Sequence, residues 1–290
     1  MHLVEKVAYP AQYRLDDRFY FHRLMNEPTE MNLANNSACP GSFPELAEHK
    51  VHVWSASLTL DPVILDKFNS ALSGEERARA ERFVFERDRD SFTAAHGILR
   101  DVLARYLKCA PGGVNYICGP DGKPAVSSPG SRHPLRFNLS HSHGIAVIAI
   151  ADGREIGVDV EKIRPEFAGL EIASRYFSVE EVEELRALPA SLQAEGFFLC
   201  WTRKEAYVKA LGEGLRFPLD SFRVSLSPGQ PAELYKDDGP LWRIESFVPP
   251  ALPNTRHVAA VVSEGTEWTA EYFEWKQEPG NRRVHGSEDS

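Results

Sequence analysis

The period of apolar and polar positions changes along the chain, and it does so twice in the same order. Around 52–60 the run His-Val-Trp-Ser-Ala-Ser-Leu-Thr-Leu alternates as a strand does. Ser73, with Glu76 three residues on, then makes a capping-box pattern that opens a helix through LSGEERARAERF. A longer helical period covers about 88–107, and VNYICGPDGKPAV reads as two short strands around an Asp-Gly turn. The stretch 136–151 ends in an apolar strand. The order then begins again. EIGVDVEKI at 155–163 predicts a strand, and Ser178 with Glu181 repeats the capping box 105 residues after the first. FFLCWTRKEAYVKALG follows as helix, and strands are expected at FRVSL, AELYK, LWRIESF and HVAAVVS.

This repetition predicts an α+β fold of two pseudo-symmetric α/β halves, 51–152 and 153–276, made by internal duplication. A cleft between such halves is a favoured ligand site. Residues 1–50 show no sustained period and read as an N-terminal extension, helical in part around 10–25. Residues 277–290 are polar and read as a flexible tail.

Charge narrows the function. The 290 residues carry a net charge of −9, so a nucleic-acid binder working by general electrostatics is disfavoured. No apolar run is long enough for a transmembrane helix, so no membrane partner is expected. Cys39, Cys109, Cys118 and Cys200 include no C-x-x-C pair and read as reduced thiols. With no signal-peptide pattern at the N-terminus, the expected location is the cytoplasm. Walker A, G-x-G-x-x-G and G-x-S-x-G motifs are absent from the sequence.

The chemistry-bearing residues cluster in four segments. In Ile156-Gly157-Val158-Asp159-Val160-Glu161, the two carboxylates lie two apart on a strand and so share a face. Side by side they repel unless a cation sits between them, which suits a hard divalent ion such as Mg²⁺. A solvated strand face with incidental acids is the bland alternative. On the following helix, Lys204 interrupts an apolar stripe, and Glu205 and Lys209 stand four apart. They read either as an ordinary i,i+4 ion pair or as a metal ligand or base with a phosphate-facing lysine. Phe137–Gly144 reads as a polar loop. It allows Zn²⁺ at His141 and His143, phosphate binding by Ser140 and His141, or plain turn chemistry. Lys123, in Gly-Lys-Pro, reads as a turn lysine that could meet a phosphate. Seven arginines between 75 and 105 are balanced by seven acids and read as a solvated helix face.

The order of these segments carries more than any one of them. GKP at 122–124, FNLSHS at 137–142, GVDVE at 157–161, RYFS-x-x-E at 175–181 and W-T-R-K-E-A-Y-x-K-A-x-G-x-G-L at 201–215 run in sequence. The chain thereby resembles the 4′-phosphopantetheinyl transferase superfamily, in its large monomeric Sfp-like type, over about residues 52–275. The resemblance implies two pseudo-symmetric halves. It also implies transfer of the phosphopantetheine arm of coenzyme A to a serine of an apo acyl- or peptidyl-carrier protein, with release of adenosine 3′,5′-bisphosphate. It assigns Mg²⁺, with Mn²⁺ as a substitute, to Asp159, Glu161 and Glu205. Coenzyme A would meet Arg100, Lys123, Pro124, Ser140, His141, Lys204 and Lys209, and Glu205, Lys209 and Glu181 would be catalytic. Where some relatives use lysines just after the first helix for the coenzyme's 3′-phosphate, this chain departs and reads FVFERDRD, with Arg87 or Arg89 as the available substitutes. Fatty-acid, polyketide and nonribosomal-peptide carriers all stay open, and a monomer is expected. A coenzyme-A-binding regulatory module and a small-molecule Mg²⁺ phosphotransferase are the competing readings.

Overall fold

The computed structural model describes residues 45–118, 123–126, 133–166, 169–212, 217–236, 239–249 and 256–277. The helix expected near 10–25 and most of the expected tail lie outside them. Among the described residues no helix is long and apolar enough to cross a membrane.

In the first half, strand β1 (Lys50–Ser57) leads to helices α1 (Pro62–Ala71), α2 (Gly74–Ala80) and α3 (Glu86–Leu107). Strands β2 (Tyr116–Cys118), β3 (Pro124–Val126), β4 (Leu135–Ser142) and β5 (Ile145–Asp152) follow. The second half runs β6 (Ile156–Lys162), α4 (Gly169–Tyr176), α5 (Val179–Ala187) and α6 (Ala190–Leu211). It continues with β7 (Arg223–Val224), β8 (Leu234–Tyr235), β9 (Trp242–Phe247), β10 (His257–Glu264) and β11 (Thr269–Trp275). α1, α4 and β11 are elements the periodicity did not announce.

The two halves share a topology. β1 pairs antiparallel with β5, and β5 with β4; β6 pairs antiparallel with β10, and β10 with β9. Both expected capping boxes form, with Ser73 and Ser178 accepting from the backbone N–H of Glu76 and Glu181. α3 and α6 are each 22 residues long. Two departures break the symmetry. β3 and β2 extend the first sheet beyond β4, whereas β7 and β8 pair only with each other. β11 leaves the second half and pairs parallel with β1, so the first sheet runs β11-β1-β5-β4-β3-β2.

Side-chain alternation builds four layers. Trp54, Ala56, Ile148 and Ile150 face α3 in one core. Val51, Val53, Val147 and Ala149 face the opposite way, against Val158, Val160, Ala259 and Val261 of the second sheet. That sheet's other face, with Val258, Ala260 and Val262, packs on α6. Two buried faces per sheet explain the near-continuous apolar runs in β5 and β10.

Phe137–Ser142, expected as a polar loop, is instead the body of β4. The turn is only His143–Gly144, with φ of 46° and 86°, as a two-residue type I′ hairpin requires. Its register is fixed because Phe137 and Leu139 point into the α3 core while Ser140 and Ser142 point away from it.

Candidate active site

Asp159 and Glu161 leave β6 on the face turned to α6, since Val158 and Val160 between them take the intersheet core. α6 comes unusually close there. A Cβ on Gly157 would lie 2.0 Å from the Ala210 nitrogen and 2.3 Å from the Ala206 oxygen. Only glycine admits that approach, and the approach sets Lys209 against the strand. Lys209 Nζ donates to Asp159 Oδ1 at 2.6 Å, both residues being buried. Glu205, one turn earlier on α6, is also buried, as is Glu161.

β4 lies alongside β6 and runs in the same direction. Arg136 meets Glu155 at 3.0 Å at one end, and Ser142 Oγ donates to Glu161 Oε2 at 2.9 Å at the other. Buried Ser140 lies between these contacts on β4. His141 follows. Burial lowers its pKa to about 4, and the nearby cations Arg79 and Lys209 push the same way. The imidazole is thus neutral near pH 7 and sits among positive groups, a setting suited to phosphate oxygens. Arg79, on α2, supplies one of these charges and lies over the Phe92 ring at 5.3 Å. The balanced charges of 75–105 concealed it, because helix sequence does not show which side chain turns inward.

Lys123 is buried and spans the two halves. Its Nζ donates to Ile156 O at 2.7 Å and Ala210 O at 2.9 Å, and lies 3.0 Å from Glu155 Oε2. A cation at the end of α6 complements the helix dipole. Pro124 opens β3 beside it. The structure therefore pairs Asp159 with Lys209 and Glu161 with Ser142, and buries Glu205 one turn from Lys209 on α6.

It places three other expected site residues elsewhere. Arg100 Nε pairs with Glu76 at 2.7 Å and its Nη1 donates to Pro111 O and Val114 O at 3.2 and 3.1 Å. Lys204 Nζ pairs with Glu181 at 2.7 Å and donates to Leu219 O and Phe222 O at 2.7 and 2.6 Å. Glu181 also accepts from Val224 N and Ser178 N. These two sets are one arrangement built twice. Their polar atoms are engaged by the framework, with Lys204 and Glu181 fully buried. These ion pairs and carbonyl bonds already occupy Arg100, Lys204 and Glu181, the residues the resemblance assigned to the coenzyme and to proton relay. The Zn²⁺ option at His141 and His143 also gains nothing. Among the described residues, no three His, Cys, Asp or Glu groups are drawn together tightly enough to hold a metal ion as they stand.

Even so, the donors at Asp159, Glu161 and Glu205 suit a hard divalent ion. They are carboxylates only, buried, and carried by two adjoining elements. Burying three carboxylates together is costly unless cations compensate them.

Comparison with known proteins settles the class. Residues 62–152 match the family profile described as 4′-phosphopantetheinyl transferase, N-terminal, and residues 155–262 match that of the 4′-phosphopantetheinyl transferase superfamily. The chain belongs to this superfamily and is an enzyme that moves the 4′-phosphopantetheine arm of coenzyme A to an apo-carrier protein. It is 37% identical over 230 residues to the 4′-phosphopantetheinyl transferase HetI of Nostoc sp., covering 79% of this chain and 94% of that protein. It is 35% identical over 161 residues to the 4′-phosphopantetheinyl transferase Sfp of Bacillus subtilis, covering 56% of this chain and 69% of that one. The human L-aminoadipate-semialdehyde dehydrogenase-phosphopantetheinyl transferase is 30% identical over 168 residues, 54% of each chain. The family's chemistry is Mg²⁺-dependent with coenzyme A as substrate.

Proposed function

We propose that one active site lies between the halves, where β4, β6 and α6 meet, and that it serves an apo acyl- or peptidyl-carrier protein as a monomer. Asp159, Glu161 and Glu205 would hold Mg²⁺, or Mn²⁺ in its place. When bound, the ion neutralises the pyrophosphate of coenzyme A and polarises its P–O bonds. His141 and Arg79 orient the anionic end of the coenzyme, with Ser140 beside them. Lys209 gives positive charge where the bisphosphate leaves.

The reaction balances with these groups. The carrier serine Oγ forms a bond to the phosphorus that bears pantetheine, and the bond from that phosphorus to the bisphosphate oxygen breaks. The serine proton passes to Glu205, whose carboxylate stands beside Lys209 on the same helix face. Glu181 is not needed as a base in this reading.

The Asp159–Lys209 contact carries the proposal, because it joins the strand and helix parts of the motif through a buried ion pair. Intact-protein mass spectrometry of apo-carrier proteins incubated with coenzyme A, Mg²⁺ and the enzyme tests it. A phosphopantetheine adduct on the carrier, lost in Asp159→Ala, is expected. Full modification by Asp159→Ala would overturn the site.

A further inference from the structure

Ser142 closes the FNLSHS segment, and none of the roles above uses it. Its Oγ donates to Glu161 Oε2 at 2.9 Å and lies 2.9 Å from His143 Nδ1. Since the hydroxyl proton goes to the carboxylate, Oγ accepts from Nδ1–H of His143. The left-handed conformation of His143, φ 46°, folds its imidazole back toward the preceding residue. A tight turn thus holds a histidine, the histidine holds a serine, and the serine holds one oxygen of Glu161. Ser142 and Glu161 are buried, so water competes little for the bond between them, while His143 holds Ser142 from the exposed side of the turn.

We infer that Ser142, oriented by His143, is a positioning residue for Glu161, fixing the carboxylate that receives the divalent ion. The inference rests on the metal role proposed for Glu161. A long, flexible glutamate side chain gives up rotamer freedom when it binds a metal, and a fixed hydrogen bond removes that cost in advance. Asp159 is shorter and is held by Lys209. Glu161 therefore has more to gain from an outer partner.

The test is Mn²⁺ titrated into the full-length protein with saturating coenzyme A, the free ion being read by electron paramagnetic resonance. Ser142→Ala should weaken Mn²⁺ binding about 10–100-fold while the metal-free melting temperature stays put. Glu161→Gln should weaken it as well. The double variant should bind no worse than Glu161→Gln alone, because Ser142 acts through that carboxylate. Unchanged binding in Ser142→Ala beside a loss in Glu161→Gln would overturn the positioning role and leave the ligand reading standing. No loss in either variant would overturn both. Losses that add in the double variant would make Ser142 independent of Glu161 and so defeat the inference.

Discussion

Arg100 and Lys204 occupy the same place in the two halves of the molecule. Each lies on a 22-residue helix and pairs at 2.7 Å with the glutamate of a capping box, Glu76 or Glu181. Each then donates to two carbonyls at the turn after its helix, from Pro111 and Val114 or from Leu219 and Phe222. A buried cation is thus used twice to tie a cap, a long helix and the next turn together. In the first half His96 also bonds Glu76, at 3.3 Å. Burial alone would raise the Glu76 pKa, but the bonds from His96 and Ser73 and the charge of Arg100 outweigh it and hold it at about 2.

Lys204→Met should therefore behave as a stability variant. Removing one partner of a buried pair leaves Glu181 uncompensated, at a cost of about 3–5 kcal/mol. The urea midpoint should fall sharply, while the folded fraction at low temperature keeps its KM for coenzyme A. A rise in KM without loss of stability would return Lys204 to the coenzyme.

The matched pair Asp101 and Glu205 separates the working half from its copy. Asp101 and Arg105 stand on α3 where Glu205 and Lys209 stand on α6, and they form an ion pair of 2.7 Å. The strand face opposite carries Trp54 and Ala56 in the first half but Asp159 and Glu161 in the second. Phe273 stacks on Trp54 at 4.7 Å, and Trp275 donates to Asp101. Glu205→Gln should lower single-turnover rates by ~10²–10⁴-fold, as loss of a positioned base does. Asp101→Asn should leave turnover and Mg²⁺ dependence unchanged. Similar losses in both variants would refute a single site.

Gly157→Ala should damage stability and activity together. Its new Cβ would meet the α6 backbone at 2.0 and 2.3 Å, and backbone cannot rotate aside as a side chain can. Moving α6 also moves Lys209 away from Asp159. Thermal melting with single-turnover assays would check this, and a variant with normal values in both would mean that α6 does not lie so close.

Buried histidines set an acid-side slope in stability. Burial lowers the pKa of His52 to about 4 and that of His257 to about 4. Above pH 6.5 neither folded nor unfolded chain protonates them. As pH falls from 6.5 toward 4 the unfolded chain takes up protons that the folded one refuses, so stability is lost across that window. Each group contributes up to about 1.4 kcal/mol per pH unit. The Glu76 carboxylate acts only below about pH 4.5, since its folded pKa is about 2. Urea midpoints should drop between pH 6.5 and 5, and His52→Asn should flatten the drop. An unchanged slope in that variant would show His52 protonated in the fold.

The sequence alone determined the repeated order of elements, because a capping box and a helical period are local patterns that recur whatever packs around them. It also determined the same-face carboxylates, since a strand's period of two places Asp159 beside Glu161 without reference to the rest of the chain. Only the tertiary structure showed which partner each buried charge takes. Lys204 read as a site residue because it interrupts an apolar stripe, and Arg100 and Glu181 because the family resemblance put them there. Their long-range partners, Glu76, Lys204 and Val224, lie more than 20 residues away along the chain, so no local pattern shows them. The influence of Arg79 on His141 was hidden for the converse reason, since in the sequence it is one of many balanced arginines. The return of β11 to β1 was equally invisible, because a parallel pairing between residues 50–56 and 269–275 depends on closure of the whole chain rather than on any segment's own preference.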